Sequence, residues 1–461
     1  MMRLSVAARA LGCEHSGADV EFDRVTTDTR QMQGGELFVA LVGPNFDGHD
    51  FIEQAQVNGA VAVLVSWRCT MPLPALVVDD TTRALGQLAA YWRTQHDSPV
   101  IAITGSNGKT TVKQMLGSIL SRIGDGLVTQ ANLNNHIGVP LTLLRMRPAD
   151  QFAVIELGMN HAGEIAYLTR LVKPKIALIN NAANAHLEGL GSVENVARAK
   201  AEIFQGLPSD GVAIINADDA FASYWCELAS PVRCVTFGLD NPADVGAQIK
   251  ENGLVNTVTM QTPIGEVDAR LTIPGRHNVM NALAATAAAL EAGATLEQIK
   301  AGLETMAPVR GRLQSRQGVN GATVFDDTYN ANPDSLYAAI RVLAGCIGRK
   351  ILVLGDMAEL GTGAEAMHSD AGHAARDAGI HGLFVIGELA RNTVDAFGAN
   401  GMCFDDYDAL IDALRDAMDA DTTLLVKGSR RMHMETVTDA ICREHLPGQT
   451  GTDTTHEEAR N

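Results

Sequence analysis

The sequence lacks several features that would fix its class at once. Its seven cysteines, at positions 13, 69, 226, 234, 346, 403 and 442, include no C-x-x-C pair. They read as reduced core or surface thiols of a cytosolic protein. Basic charge is scarce: 36 Lys and Arg stand against 54 Asp and Glu, a net charge of −18. Bulk attraction to nucleic acid or to an anionic membrane is therefore not expected. Anionic substrates would need local lysines, arginines, backbone amides or a metal. No apolar run approaches a membrane span, and the opening "MMRLSVAARALG" has none long enough for a signal peptide. No tandem repeat is present. The polar tail "LPGQTGTDTTHEEARN" is expected to be disordered.

What is there is a globular composition, 46% hydrophobic over 461 residues, too long for one typical core. The apolar runs fall into three blocks. In residues 1–82, "ELFVAL" and "AVAVLV" alternate with a helix at "FIEQAQVNGA", a small α/β unit. The helical stretch "TRALGQLAAYWRTQ" opens residues 83–312, where "PVIAIT", "FAVIEL", "KIALIN" and "VAIIN" are buried strands separated by helices. That alternation implies a parallel sheet with helices on both faces. "PGRHNVMNALAATAAALEAG" is a long Ala-rich helix ended by Gly293. In residues 313–447, "ILVLGDM", "LFVIGE" and "TLLVKGSR" are strand-then-loop units of a second open α/β sheet, and 448–461 is the tail. The expected fold class is α/β in three domains.

The stretch "TGSNGKTTVKQML" follows a strand and opens a helix. Its spacing is tighter than G-x-x-x-x-G-K-[ST], yet glycines, helix start, lysine and threonine all suit phosphate. Gly105, Ser106, Asn107, Gly108, Lys109, Thr110 and Thr111 form the expected nucleotide loop, with Lys109 reaching the β- and γ-phosphates and Thr110 ligating Mg²⁺. The plain alternative is a glycine turn with one exposed lysine. Glu156 ends the strand of "VIELGMN", where ligands of open α/β sheets collect, so it suits a metal near the loop, or else it caps a helix. His186 lies in a loop, Ser192 suits a helix N-cap and Lys200 falls within that helix; singly they read as a loop histidine and a solvated lysine. Asn278 and Asn281 share a helix face and suit an adenine edge or polar packing. Arg310 and Arg312 stand near a domain boundary. Asp326, Asp327 and Asn330 could meet a ribose or form a turn, before a helix capped by Asn332 with Pro333 first. Asp28, Arg30, Asn45 and His49 could hold a second anionic ligand, and turn chemistry explains them nearly as well.

Taken in order, T-G-x-N-G-K-T-T, E-L-G, H-L-x-x-x-G-S, A-K-x-E, R-H-N-x-x-N and D-x-Y-N-A-N-P resemble the Mur ligases over about residues 20–435. The resemblance implies an ATP-dependent amide-forming enzyme of peptidoglycan precursor synthesis. It also implies an N-terminal UDP-sugar domain, a central P-loop ATPase-type domain and a C-terminal Rossmann-like domain. Within the family, "NLNNHIGVPLTLL", "ELGMNHAGEI", "VLGDMAELG" and "VKGSRRMHMETV" are similar to the member that adds D-alanyl-D-alanine to UDP-N-acetylmuramoyl-tripeptide. The D-N-P-R of the diaminopimelate-adding sibling is absent. By this resemblance Thr110, Glu156, His186 and Lys200 match the metal positions, which implies two Mg²⁺ ions, with Lys200 matching a carbamylated lysine. Asn278 and Asn281 match the adenine pair, and Arg312, Asp327 and Asn330 join the nucleotide residues. Thr27, Asp28, Arg30, Asn45, Asn134, Asn135, Ser429 and Arg430 fall on the substrate side. A cytoplasmic monomer is expected. A sibling ligase, a folylpolyglutamate synthase-like ligase or a nucleotide-switched regulator are the alternatives.

Overall fold

The computed structural model describes residues 1–67, 72–252 and 255–442. Cys69 and the expected disordered tail lie outside the described residues. The chain divides into two compact units. Of the described residues, the first holds those in 1–309 with 332–338 and 359–364; the second holds 310–331, 339–358 and 365–442.

In the first unit a five-stranded sheet runs in the order His15–Ser16, Ala75–Val77, Ala62–Val65, Glu36–Val39, Arg24–Thr26. Only its first pair is antiparallel. Glu36–Val39 and Ala62–Val65 are buried at every position, as parallel strands covered on both faces are. The expected helix at "FIEQAQVNGA" is Ile52–Val57, entered through the 3-10 turn Gly48–Phe51.

A six-stranded, wholly parallel sheet follows. Its order is Arg233–Phe237, Val212–Asn216, Ile176–Ile179, Val100–Thr104, Ala153–Glu156, Leu127–Val128. The chain fills one side of Val100–Thr104 with the strands at 127 and 153, then crosses to the other with those at 176, 212 and 233. The order therefore reverses beside Val100–Thr104, and open α/β sheets leave a crevice at the carboxyl ends there. Helix Arg276–Glu291 is the expected Ala-rich helix, followed by Gly293 at φ +90°.

A three-stranded antiparallel sheet, Gly246–Asn252, Val255–Thr262 and Gly265–Leu271, was not expected. Asn256, Val258 and Met260 are buried in alternation with half-buried Thr257 and Thr259. Strands this rich in threonine, asparagine and glutamine lack the continuous apolar run that marked the others.

The second unit carries a sheet in the order Gln314–Gln317, Thr323–Asp327, Thr422–Lys427, Arg349–Gly355, Gly382–Ile386, Gly401–Phe404. Its first pair is antiparallel and the rest parallel. The three expected strands, together with Thr323–Asp327, are its interior, and Gln314–Gln317 and Gly401–Phe404 are its half-exposed edges. Asn332 caps Pro333–Ala344 as expected, accepting from Ser335 N at 2.9 Å. Among the described residues no helix is long and apolar enough to cross a membrane, and the six described cysteines are free.

Candidate active site

The reversal in strand order brings three segments of the first unit together: the turn after Thr104, the end of Ala153–Glu156 and the segment after Ile179. The turn is stitched to that last segment. Ser106 N donates to Asn181 O at 3.0 Å, Asn107 N to Asn181 Oδ1 at 2.8 Å, and Ala183 N to Ser106 Oγ at 3.0 Å. Asn180 Nδ2 returns a bond to Asn107 O at 2.9 Å. Asn107 Oδ1 also accepts from Asn332 Nδ2 at 2.8 Å. Gly108 sits at φ +79°, and a Cβ there would lie 2.2 Å from Asn281 Oδ1 and 2.4 Å from Asn180 Nδ2. Both conformation and space demand glycine.

Gly108 opens helix Lys109–Leu120 with no side chain to cap it. A bare helix start of this kind carries partial positive charge and suits an anion. Lys109 Nζ lies over the same loop, donating to Gly105 O at 2.6 Å and Ser106 O at 3.3 Å. Thr111 is buried in the first turn. Asn278 and Asn281 are buried beneath the loop. Asn281 Oδ1 accepts from Asn180 Nδ2 at 2.9 Å, Asn281 Nδ2 donates to Asn278 Oδ1 at 3.0 Å, and Asn278 Nδ2 donates to Pro274 O at 2.7 Å. In this geometry the asparagine pair supports the loop through polar packing.

Glu156 ends its strand 2% exposed. Thr110 Oγ1 donates to its Oε2 at 3.2 Å, Asn134 Nδ2 to its Oε1 at 2.8 Å, and Lys113 Nζ stands 3.1 Å from Oε2. Burial raises the pKa of this carboxyl, but Lys113, Lys109 and the Asn134 bond outweigh burial and hold it below the usual range. Lys200 is not a solvated helix lysine: it lies in the last turn of helix Val193–Ala201, only 1% exposed. Burial, then the charge of Lys109, push its pKa well below the lysine value, against the pull of Asp219. Ser192 caps that helix as expected, accepting from Asn195 N. His186, at φ +58°, has Nδ1 2.7 Å from a Glu359 carboxylate oxygen.

Among the described residues no three His, Cys, Asp or Glu side chains converge on one point. A divalent ion here would therefore lean on hydroxyl, phosphate and single carboxylate oxygens. Thr110 Oγ1 and Glu156 Oε2, hard donors 3.2 Å apart at the helix start, fit Mg²⁺, which takes few protein ligands and keeps water and phosphate oxygens.

Comparison with known proteins decides the family. The Mur ligase middle domain matches residues 103–289, the Mur ligase glutamate ligase domain 311–430, and the Mur ligase family catalytic domain 21–93. The UDP-N-acetylmuramoyl-tripeptide–D-alanyl-D-alanine ligase of Escherichia coli is 47% identical over 95% of this chain and 98% of its own. The Haemophilus influenzae protein of the same name is 42% identical over 93% and 95%. The chain belongs to the Mur ligase family. A crystal structure of MurF from Acinetobacter baumannii superposes with a TM-score of 0.89 at 38% identity, covering 94% of this chain and 97% of that one.

The remaining Mur ligase positions expected on the substrate side lie elsewhere. Asp28 caps the short turn Thr29–Gln31 and grips Arg30 through Nε and Nη2, both at 2.9 Å. The Arg30 bond leads in holding the Asp28 pKa down. Thr27 is half-buried and Asn45 exposed. His49 is engaged at both nitrogens, Nδ1 with Asp47 Oδ1 at 2.5 Å and Nε2 accepting from Ser66 N at 3.0 Å, which makes it a structural part of the turn Gly48–Phe51. Asn135 accepts from Ile137 N and Gly138 N at the start of helix Gly138–Leu143.

In the second unit Asp327 and Lys427 are register partners at adjacent strand ends. Lys427 is 2% exposed, with Nζ 2.5 Å from Asp327 Oδ2 and 2.9 Å from Asn330 O. Burial lowers its pKa and Asp327 offsets part of that. Asp327 Oδ1 accepts from Leu313 N at 3.1 Å. Arg312 stacks 4.0 Å over Tyr329, and Arg430 lies 5.9 Å from the same ring with Nη1 2.9 Å from Glu435. Ser429 is 1% exposed, and its hydroxyl is a buried group without a hydrogen-bond partner. Sequence reasoning missed Lys113, Asn180, Asn181, Asp219 and Glu359. The doubled asparagine after a buried strand, in "LINNAAN", was the one local signal available.

Proposed function

We propose that this chain is the ATP-dependent ligase joining D-alanyl-D-alanine to UDP-N-acetylmuramoyl-tripeptide, giving the pentapeptide, ADP and phosphate in peptidoglycan precursor synthesis. The observation that carries it is the 47% identity, over nearly the whole of both chains, with an enzyme of that name. The proposed division is 1–82 for the UDP-sugar, 83–312 for ATP and a Rossmann-like 313–447, supported by three family matches in that order. The six free thiols suit a cytoplasmic enzyme.

The tripeptide carboxylate is a poor electrophile because its charge is delocalised. One of its oxygens attacks the γ-phosphorus of ATP, the bond to the β-phosphate oxygen breaks, and ADP leaves an acyl phosphate. The amine of D-alanyl-D-alanine then adds to the carbonyl carbon, loses a proton, and expels phosphate as the amide forms. The chain's task is to hold two anions against each other in a dry site. The loop amides and the Lys109 ammonium bind and orient the phosphates. Thr110 and Glu156 would hold Mg²⁺, which when bound would add further charge neutralisation. Lys200, kept toward its neutral form by burial, can add CO₂ and release a proton to give an anionic carbamate. That group and His186, whose Nδ1 lies beside Glu359, complete the proposed metal positions. Ser429 and Arg430 serve the dipeptide.

The test is oxygen-18 in the tripeptide carboxyl group. One labelled oxygen is expected in the released phosphate, with the pentapeptide found by mass. Unlabelled phosphate would overturn the acyl-phosphate route, and absence of pentapeptide would overturn the substrate assignment.

A further inference from the structure

Lys113 lies one turn beyond Lys109 on the helix that the phosphate loop opens, and its side chain is fully buried. A buried ammonium is tolerated only where partners offset lost hydration. Lys113 has two: Ala131 O accepts from Nζ at 2.9 Å, and Glu156 Oε2 stands 3.1 Å away. The segment it reaches also grips Glu156, through Thr129 Oγ1, which accepts from Glu156 N at 3.0 Å, and through Asn134 at 2.8 Å. Lys113 thus ties the phosphate-loop helix, segment 129–134 and the Glu156 carboxylate into one buried cluster. The contact falls on Oε2, the same oxygen that Thr110 meets at 3.2 Å.

We propose that Lys113 is a positioning residue for the metal site: a built-in cation that keeps Glu156 aimed when no metal is bound, and that competes with the metal for Oε2. This rests on the reading of Glu156 as a Mg²⁺ ligand. The function follows from the competition. A buried carboxylate with no counter-charge would hold a divalent ion tightly, whether or not nucleotide came with it. With Lys113 beside it, the ion is held well only when phosphate oxygens add their charge, so metal and nucleotide load together.

The test is direct Mn²⁺ binding by electron paramagnetic resonance, with and without a non-hydrolysable ATP analogue, on wild type, Lys113→Met and Glu156→Gln. Lys113→Met is expected to bind Mn²⁺ about tenfold more tightly without nucleotide, the effect of removing one like charge at short, partly screened range. It should also lose most of the nucleotide enhancement. Mn²⁺ affinity equal to or weaker than wild type overturns the proposal. If Lys113→Met does not fold, the double variant Lys113→Met, Glu156→Gln decides. Recovery of folding traces the defect to the unpaired carboxylate and supports the role; continued failure makes Lys113 a packing residue and overturns it. Glu156→Gln alone separates the two layers: Mn²⁺ affinity unchanged there removes Glu156 as a ligand, whatever Lys113 does.

Discussion

Gly108→Ala tests the phosphate loop most sharply, because the structure supplies both parts of its cost. Alanine at φ +79° is strained by roughly 1–2 kcal/mol. The new Cβ would also stand 2.2 Å from Asn281 Oδ1 and 2.4 Å from Asn180 Nδ2, two groups joined at 2.9 Å. Both residues are buried, so prising them apart leaves polar atoms unsatisfied at about 1–3 kcal/mol. The free protein can relax by distorting the loop, while the nucleotide complex needs the native loop. At least about 2 kcal/mol should therefore fall on binding, roughly a 30-fold rise in Kd for ATP. Calorimetric titration with ATP, without acceptor substrate, measures it. Gly163→Ala is the control: φ is +88° but nothing lies within 4 Å of the added Cβ. It carries strain alone and should leave Kd unchanged. Wild-type affinity in Gly108→Ala would refute the claim that the Asn180–Asn281 wall shapes the nucleotide site.

Lys200→Ala should nearly abolish turnover, with partial rescue by small carboxylic acids that replace the carbamate oxygens; wild-type turnover would refute the role. The buried amine also predicts a pH dependence. Its native pKa lies well below that of the unfolded chain, so the unfolded state binds the extra proton between the two values. In CO₂-free buffer, wild-type stability should rise with pH from that depressed value up to the ordinary lysine pKa near ~10.4, and Lys200→Met should flatten the rise in a denaturant series. Arg430→Ala should raise KM for D-alanyl-D-alanine roughly 10- to 100-fold, the loss of a charge-assisted hydrogen bond, and leave binding of the UDP substrate intact. Unchanged dipeptide kinetics would remove the assignment.

The parts of the fold legible in the sequence were those whose signal is local. Buried parallel strands such as Val100–Thr104 and Ile351–Gly355, within Arg349–Gly355, are continuous apolar runs, and Gly293 and Asn332 mark helix boundaries by their own chemistry. Gly246–Leu271 and the edge strands Gln314–Gln317 and Gly401–Phe404 were missed for the same reason. Their pairing is stabilised by backbone ladders to neighbours, and their half-exposed faces tolerate polar residues.

For the site, the loop was legible and its supports were not. Phosphate-loop residues are contiguous, whereas Asn180 and Asn281 meet across 101 positions and Lys113 meets Glu156 from another strand end. The buried lysines show what spacing alone cannot say. Lys113, Lys200 and Lys427 are among the largest fully buried side chains, yet each reads as an ordinary strand or helix lysine. Lys113 and Lys427 have carboxylates at 3.1 Å and 2.5 Å. Among the described residues no carboxylate forms an ion pair with Lys200; Asp219 acts on it only through its field, and Lys109 repels it. A fully buried ammonium without a close counter-ion is the least tolerable of the three, and burial with the Lys109 charge pushes its pKa well down. A neutral amine is nucleophilic, and the proposed carboxylation would convert a buried cation into an anion that the Lys109 charge favours. The electrostatic defect at Lys200 is therefore the physical argument for the proposed carbamate, and it became visible only with the burial of the helix.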